Sequence, residues 1–374
     1  MSKSDAVVLK QNSRIAWIDI AKTIAMTLIV FGHVDVGSYA QFFVYSFHVP
    51  VFIFLSGYCF SDKDRFTAFL KKKSLRIMVP YGFFGLFAIA VYLVLGKYIS
   101  DEGTLSLTEC LWGLLMGNAK TNKMAFNLHL WFLPCLFAMS IIFYGLKKLA
   151  DLITEKLDVN SLYGAIGIFA VTLLVSRLIL NYNITFYLPF STEIAVRNMP
   201  FFSLGFLMKA SGKINGDTDR NNKKQIAVLA AGFIVFSCIL TFFAYKNIVY
   251  PHAFFKPNTF VVTYNRDYYG VPLYFYGAAF AGIAAVVCLA KLLPKFRALI
   301  YFGKNTLAVL VMQKFATMPA RMIIEKLPQK QFVLIPAYLI FTAAVILMCL
   351  AADWIIRKYF PFIYGMPYEN RRKK

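Results

Sequence analysis

Polar and apolar residues along this chain come in blocks rather than in alternation. Apolar runs of about twenty residues, the length that crosses a hydrocarbon core as a helix, recur at 15–36, 39–60, 77–97, 129–146, 162–180, 196–210, 226–245, 270–290, 306–320 and 332–352. The pattern predicts ten transmembrane helices, the sixth and ninth short. It divides the chain into a cytoplasmic N-terminal segment 1–14, a ten-helix membrane domain 15–352 and a basic cytoplasmic tail 353–374. Pro50, Pro80, Pro134, Pro200, Pro319 and Pro336 fall within the spans, where neighbouring helices can satisfy the backbone groups that proline frees.

Composition removes the soluble alternatives. Of 374 residues, 59% are hydrophobic and only 16% charged, against roughly 25% charged in a soluble domain. Mean hydropathy is +0.61. The expected fold class is an all-α polytopic integral membrane protein. The polar stretch Met1–Ser13 runs into the first apolar run without a small-residue cleavage site, the mark of a retained span rather than a signal peptide. Six cysteines without CxxC spacing read as small core residues, and no metal site is expected.

The net charge of +22 would suit a nucleic-acid partner, but its distribution points to topology. With Met1 inside, the inward connections (1–14, 61–76, 147–161, 211–225, 291–305 and the tail, with the span end Lys209) hold 27 of the 40 Lys and Arg. Outward loops hold 10, and Lys22, Arg177 and Lys314 lie within spans. Basic residues concentrate on the cytoplasmic side, so both termini are expected there. No nucleic-acid partner is expected.

Ionisable groups inside spans are costly and mark functional positions. Lys22 and His33 are eleven residues apart, so they share one face of the first helix, about 16 Å apart along its axis. Asp19, one turn before Lys22, can pair with it; a structural ion pair at the inner interface is the bland reading of both. His48, followed by Pro50, places a second imidazole on the adjacent antiparallel helix, where a satisfied core histidine is the alternative. Lys73 and Arg76 stand at the mouth of the third span. They serve topology or clamp the phosphates of a nucleotide-bearing donor. His129 and Trp131 open the fourth span, and Glu193 and Arg197 lie in the polar stretch 181–198. With Tyr264–Tyr269 these suit a sugar, and equally an interfacial aromatic belt.

The segments Trp17-Ile-Asp19-Ile-Ala-Lys22, Lys22-x10-His33, Phe47-His48-Val-Pro50, Phe54-Leu-Ser-Gly57-Tyr58, Arg76-Ile-Met-Val-Pro80, His129-Leu-Trp131-Phe-Leu and Gly303-Lys-Asn305-Thr306-Leu together resemble the membrane acyltransferase-3 family. They run in its order across essentially the whole chain. The first and third forms look closest to its fucose 4-O-acetylase-like branch. The resemblance implies transfer of an acyl group, usually acetyl from acetyl-CoA, to a hydroxyl of an extracytoplasmic or cell-surface glycan. It also implies a multi-pass protein of the bacterial cytoplasmic (inner) membrane. Its expected partners are the acyl-CoA donor, a glycan or lipid-linked sugar acceptor and membrane lipid, with no permanently bound cofactor.

On that reading His33 is the general base, because imidazole titrates near working pH, and His48 is its partner or oxyanion stabiliser. Lys22 and Asp19 organise the site or the thioester end of the donor. Lys73 and Arg76 hold the CoA phosphates. His129, Trp131, Glu193 and Arg197 line the acceptor side. Relatives often carry a histidine shortly after the late Gly-x-Asn-Ser/Thr segment; here Gln313 stands in that region and cannot act as a base. A secondary transporter or flippase of a lipid-linked sugar is the competing class, with Asp19, Lys22 and Arg177 as its path. A glycan polymerase fits less well, because the outer loops are short.

Overall fold

The computed structural model describes residues 15–34, 39–99, 104–180, 187–249, 262–264, 268–328 and 330–365. The expectations for segments 1–14, 181–186, 265–267 and 366–374 lie outside the described residues. Within them the chain is helical, and the only extended pairing is a single bridge between Thr263 and Tyr268. Among the described residues nine helical stretches, counting Ala40–Tyr58 as one, are long and apolar enough to cross a membrane.

The chain begins with α1 (Ala16–Val34), α2 (Tyr39–Tyr45), α3 (His48–Tyr58) and α4 (Phe66–Lys73). A π-helical turn (Ser74–Met78) joins α4 to α5 (Val79–Ile99), and α6 (Leu107–Met116) follows. After a 3-10 turn (Leu128–Trp131) come α7 (Phe132–Lys156), α8 (Ser161–Ile179), α9 (Thr192–Ala210), α10 (Lys223–Val249), α11 (Pro272–Leu292), α12 (Arg297–Lys304), α13 (Thr306–Ile324) and α14 (Gln331–Tyr359).

The second expected span is two helices. At Phe47 the backbone leaves helical geometry (φ −144°). The amides of Ser46 and Phe47 fold back onto the Phe43 and Val44 carbonyls, closing α2 with tighter i→i−3 turns. Pro50 therefore lies in the first turn of α3, where its missing N–H removes no bond.

The stretch read as an outer loop over 98–128 contains α6. Ser106 and Glu109 cap its start reciprocally and Gly117 closes it at φ +58°, a capping box and a left-handed stop. The sixth span, expected over 196–210, starts four residues earlier as α9. That helix is too polar to be counted among the nine, yet it is buried along most of its length. The last span continues beyond 352 to Tyr359.

Helix α1 is the hub, packing against α2, α3, α11, α12, α13 and α14. Its first amides are capped from two hundred residues away, with Asp217 accepting from Trp17 at 3.0 Å and Ala16 at 3.3 Å. Asp217 also pairs with Lys295 at 3.0 Å. Partial burial alone would raise the Asp217 carboxyl. The Trp17 amide, the Lys295 ammonium and the Ala16 amide outweigh that and hold it below the usual carboxylate range.

Helices α3 and α9 meet at bare backbone. A Cβ at Gly57 would stand 1.9 Å from the Phe202 carbonyl oxygen, and one at Gly205 would stand 2.0 Å from that of Phe54. Only glycine permits this approach, the small-residue packing by which membrane helices associate.

Candidate active site

The break between α2 and α3 builds one side of the site. It leaves the Val44 carbonyl facing His48, whose Nδ1 lies 2.8 Å away. A carbonyl only accepts, so Nδ1 carries a proton, and in the neutral ring Nε2 is an acceptor. Tyr45, on the last turn of α2, packs its ring 4.7 Å from the His48 ring. Its hydroxyl lies 3.1 Å from His33 Nδ1 and 3.4 Å from the Gly32 carbonyl. Gln41 donates to the same carbonyl at 2.8 Å. The end of α1 is thus held by two side chains of α2, which fixes the orientation of the His33 ring.

The other side comes from the 3-10 turn and α13. The His129 and His33 rings meet edge to face with centroids 4.1 Å apart. Asn127 donates to the Val311 carbonyl at 2.9 Å and Lys314 donates to the Ala125 carbonyl, so α13 and the turn move as one wall. Lys314 stands within electrostatic reach of His129, and Arg321 within reach of His33 and Tyr45. The two cations are seven residues apart, about two turns, and share one face of α13.

Three imidazoles and a phenol therefore converge at one level of the bundle, with two cations facing them from positions about two turns apart on α13. His33, His48 and His129 come together as the sequence suggests. Tyr45, Gln41, Lys314 and Arg321 are additions. Lys314 is legible as a charge within a span; Arg321 looks like an ordinary outer-loop cation, and nothing local marks Tyr45. Trp131 closes the same 3-10 turn, buried against Phe132.

The remaining candidates sit elsewhere. Asp19 is buried, with Lys22 Nζ 4.0 Å from its carboxylate, roughly 16 Å along α1 from His33. Lys73 and Arg76 lie at that same end of the bundle. Lys73 reaches Cys59 electrostatically, next to Tyr58, whose ring meets Trp17 at 5.1 Å. Arg76 is exposed on the π-helical turn, and Lys73 is partly covered by Phe69.

Glu193 and Arg197, read as part of a polar outer loop, occupy the first two turns of α9 and are buried. The Glu193 carboxylate accepts from Asn118 at 2.7 Å and from the Leu188 amide at 3.3 Å, tying down the segment that precedes its own helix. The Arg197 carbonyl accepts from Ser176, which also bonds the Tyr276 hydroxyl at 2.5 Å. These contacts anchor the start of α9 to the segments around it.

An apolar groove of about 690 Å³ opens between α5, α13 and α14, lined by residues such as Phe83, Phe87, Phe315 and Met348. It presents carbon almost throughout, with the free Cys349 among its lining residues.

Residues 15–354 match the acyltransferase domain that defines the acyltransferase-3 family. Comparison with curated proteins and with solved structures gives no match. With nearly the whole chain covered and the helices assembled as above, the protein belongs to the acyltransferase-3 family and is a multi-pass membrane acyltransferase.

Proposed function

We propose that the protein is an O-acetyltransferase. It moves an acetyl group from cytoplasmic acetyl-CoA to a hydroxyl of an extracytoplasmic or cell-surface glycan. The observation that carries this reading is the meeting of His33, His48 and His129 around Tyr45 at one level of the bundle. A sugar hydroxyl is a poor nucleophile and needs a base in place. When Tyr45 gives its proton to the Gly32 carbonyl, His33 donates through Nδ1 to the phenol oxygen, and its Nε2 lone pair is the base.

His33 Nε2 then takes the hydroxyl proton as the oxygen attacks the thioester carbonyl. The carbon–sulfur bond breaks, and the imidazolium returns the proton to the leaving thiolate. Charge gathering on the carbonyl oxygen is faced by Lys314 and Arg321. His48 Nε2 is a second acceptor that orients the hydroxyl. His129 and Trp131 border the acceptor.

The donor enters from the opposite end, where Lys73 and Arg76 take the CoA phosphates as a cationic pair. Asp19 and Lys22 organise the passage between. The excess of basic residues on the Lys73 side supports a cytoplasmic placement of that end and of both termini. The bacterial inner membrane and the fucose 4-O-acetylase-like branch rest on the sequence resemblance.

The test is mass spectrometry of surface polysaccharide from cells with the intact protein, His33→Ala at equal protein level, or neither. An acetyl ester increment, removable by mild base, should appear only with the intact protein. Membranes of the variant should transfer acetyl about 10²–10⁴ times more slowly. An increment that survives His33→Ala transfers the role of base to another imidazole.

A further inference from the structure

One wall of the bundle carries polar atoms that no group among the described residues satisfies. Gln313 on α13 is fully buried, and among those residues neither its amide nitrogen nor its amide oxygen has a hydrogen-bond partner; nor do Asn127 Oδ1, also fully buried, and His129 Nδ1. Leaving a buried amide wholly unpaired is costly. Native proteins therefore keep such groups where something else completes them. Gln313 and Asn127 belong to the same wall, since Asn127 is bonded to the Val311 carbonyl one half-turn before Gln313.

Their depth is informative. At one end of the bundle, Gly303 lies so close to α1 that a Cβ there would stand 1.9 Å from the Asp19 carbonyl oxygen. Trp17, Tyr58 and Lys73 mark the same end. Arg321 beside His33 marks the catalytic level. Gln313 precedes Arg321 by eight residues, about 12 Å along α13. It also adjoins Lys314, which stands beside His129, so it lies where the interval from the cations proposed for the donor phosphates meets the imidazoles.

The part of an acyl-CoA that spans this interval is the pantetheine arm, which carries two secondary amides. A primary carboxamide with a free donor and a free acceptor matches a secondary amide bond for bond. We infer that Gln313 and Asn127 form the subsite for the pantetheine arm. Gln313 Nε2 donates to one amide carbonyl and its Oε1 accepts that amide's N–H or its neighbour's. Asn127 Oδ1 accepts a further N–H. This rests on the acetyl-CoA reading above and extends it, assigning to Gln313 a binding role where relatives place a histidine.

The test uses the full-length protein in lipid nanodiscs without acceptor. Acetyl-CoA and adenosine 3′,5′-bisphosphate, the nucleotide end of the donor without its arm, are titrated calorimetrically into the unaltered protein and Gln313→Leu. Leucine fills similar volume and removes the unpaired polar atoms, so the variant should melt at the same temperature or higher. Acetyl-CoA should bind the variant about tenfold more weakly, the loss of one or two neutral hydrogen bonds. The nucleotide should bind both proteins equally.

Equal acetyl-CoA affinity in both proteins overturns the subsite, and a raised acceptor KM in the variant would then assign Gln313 to the glycan. If the unaltered protein binds the nucleotide and acetyl-CoA with the same affinity, the arm makes no contact and the subsite fails. If it binds neither, the donor reading itself fails and the subsite with it.

Discussion

Helices α1 and α10 are built for opposite surroundings. Fifty-six per cent of the apolar stretch of α1 is buried inside the protein, against 6% for α10. Yet the apolar stretch of α10 is the more hydrophobic of the two, and α1 holds Asp19, Lys22, Thr23 and His33. In water the ranking would be reversed. In a bilayer, lipid is as apolar as leucine, so the most hydrophobic helix faces outward and polar positions turn toward other helices. Helix α9 extends the lesson. It is too polar to be counted a span, and it is packed between α3, α7 and α8.

The contrast can be broken at its points of closest packing. The largest structural effect is expected at the α3–α9 crossing. Gly57→Ala forces a methyl group against the Phe202 carbonyl and should destabilise the protein by about 1–3 kcal/mol. Thermal unfolding in detergent reads this out, and an unchanged melting temperature would show that the helices separate at no cost.

A smaller effect is expected from Asp217→Asn, which keeps an acceptor for the α1 amides but loses the charge and the Lys295 pair. It should cost about 0.5–1 kcal/mol. Because the folded Asp217 carboxyl sits below its ordinary range, its contribution is complete above about pH 3.9, the unperturbed aspartate value. It is lost as pH falls further, through the depressed value. The unaltered protein should lose stability over that acid interval, and Asp217→Asn should lack this component. Identical acid profiles would remove Asp217 as the anchor of α1.

The smallest effect is expected on α10. Val228 is 71% exposed, and Val228→Ala exchanges one lipid contact for another, so stability and transfer should change by less than about 0.5 kcal/mol. A large loss there would mean that α10 has a protein partner.

Hydropathy made the lipid-facing helices legible, and this explains where the sequence reading stopped. Runs such as 226–245 announced themselves because, apart from the side packed on α11, they are built to face lipid. The start of α9 did not, because Glu193, Arg197 and Asn198 look like loop from the sequence, whereas in the fold they are buried, Glu193 accepting from Asn118 and the Leu188 amide and Asn198 donating to the Tyr269 hydroxyl. Helix α6 carried a readable signal in Ser106-Leu-Thr-Glu109, a capping box obscured by the polar residues around it. In the site, His33, His48 and His129 stood out as ionisable groups in apolar surroundings. Tyr45 did not, because an aromatic residue is ordinary in a membrane helix until the break at Ser46–Phe47 aims it. Arg321 did not, because only the crossing of α13 past the end of α1 brings it to His33. Gln313 was noticed for what it could not do, and only its burial without partners suggested what it does.

The cap on α1 also sets an order of assembly. Helix α1 receives its N-terminal partner, Asp217, two hundred residues later. The Leu299 carbonyl that accepts from Thr23 comes 276 residues later. At about 5–20 residues per second of synthesis, the hub waits on the order of 10–60 s with its polar stripe uncovered. During that time Asp19, Lys22 and His33 depend on water, lipid headgroups or the insertion machinery. The level proposed for catalysis closes only when α13 arrives, so a chain truncated before it lacks that wall of the candidate site, however many spans it has already inserted.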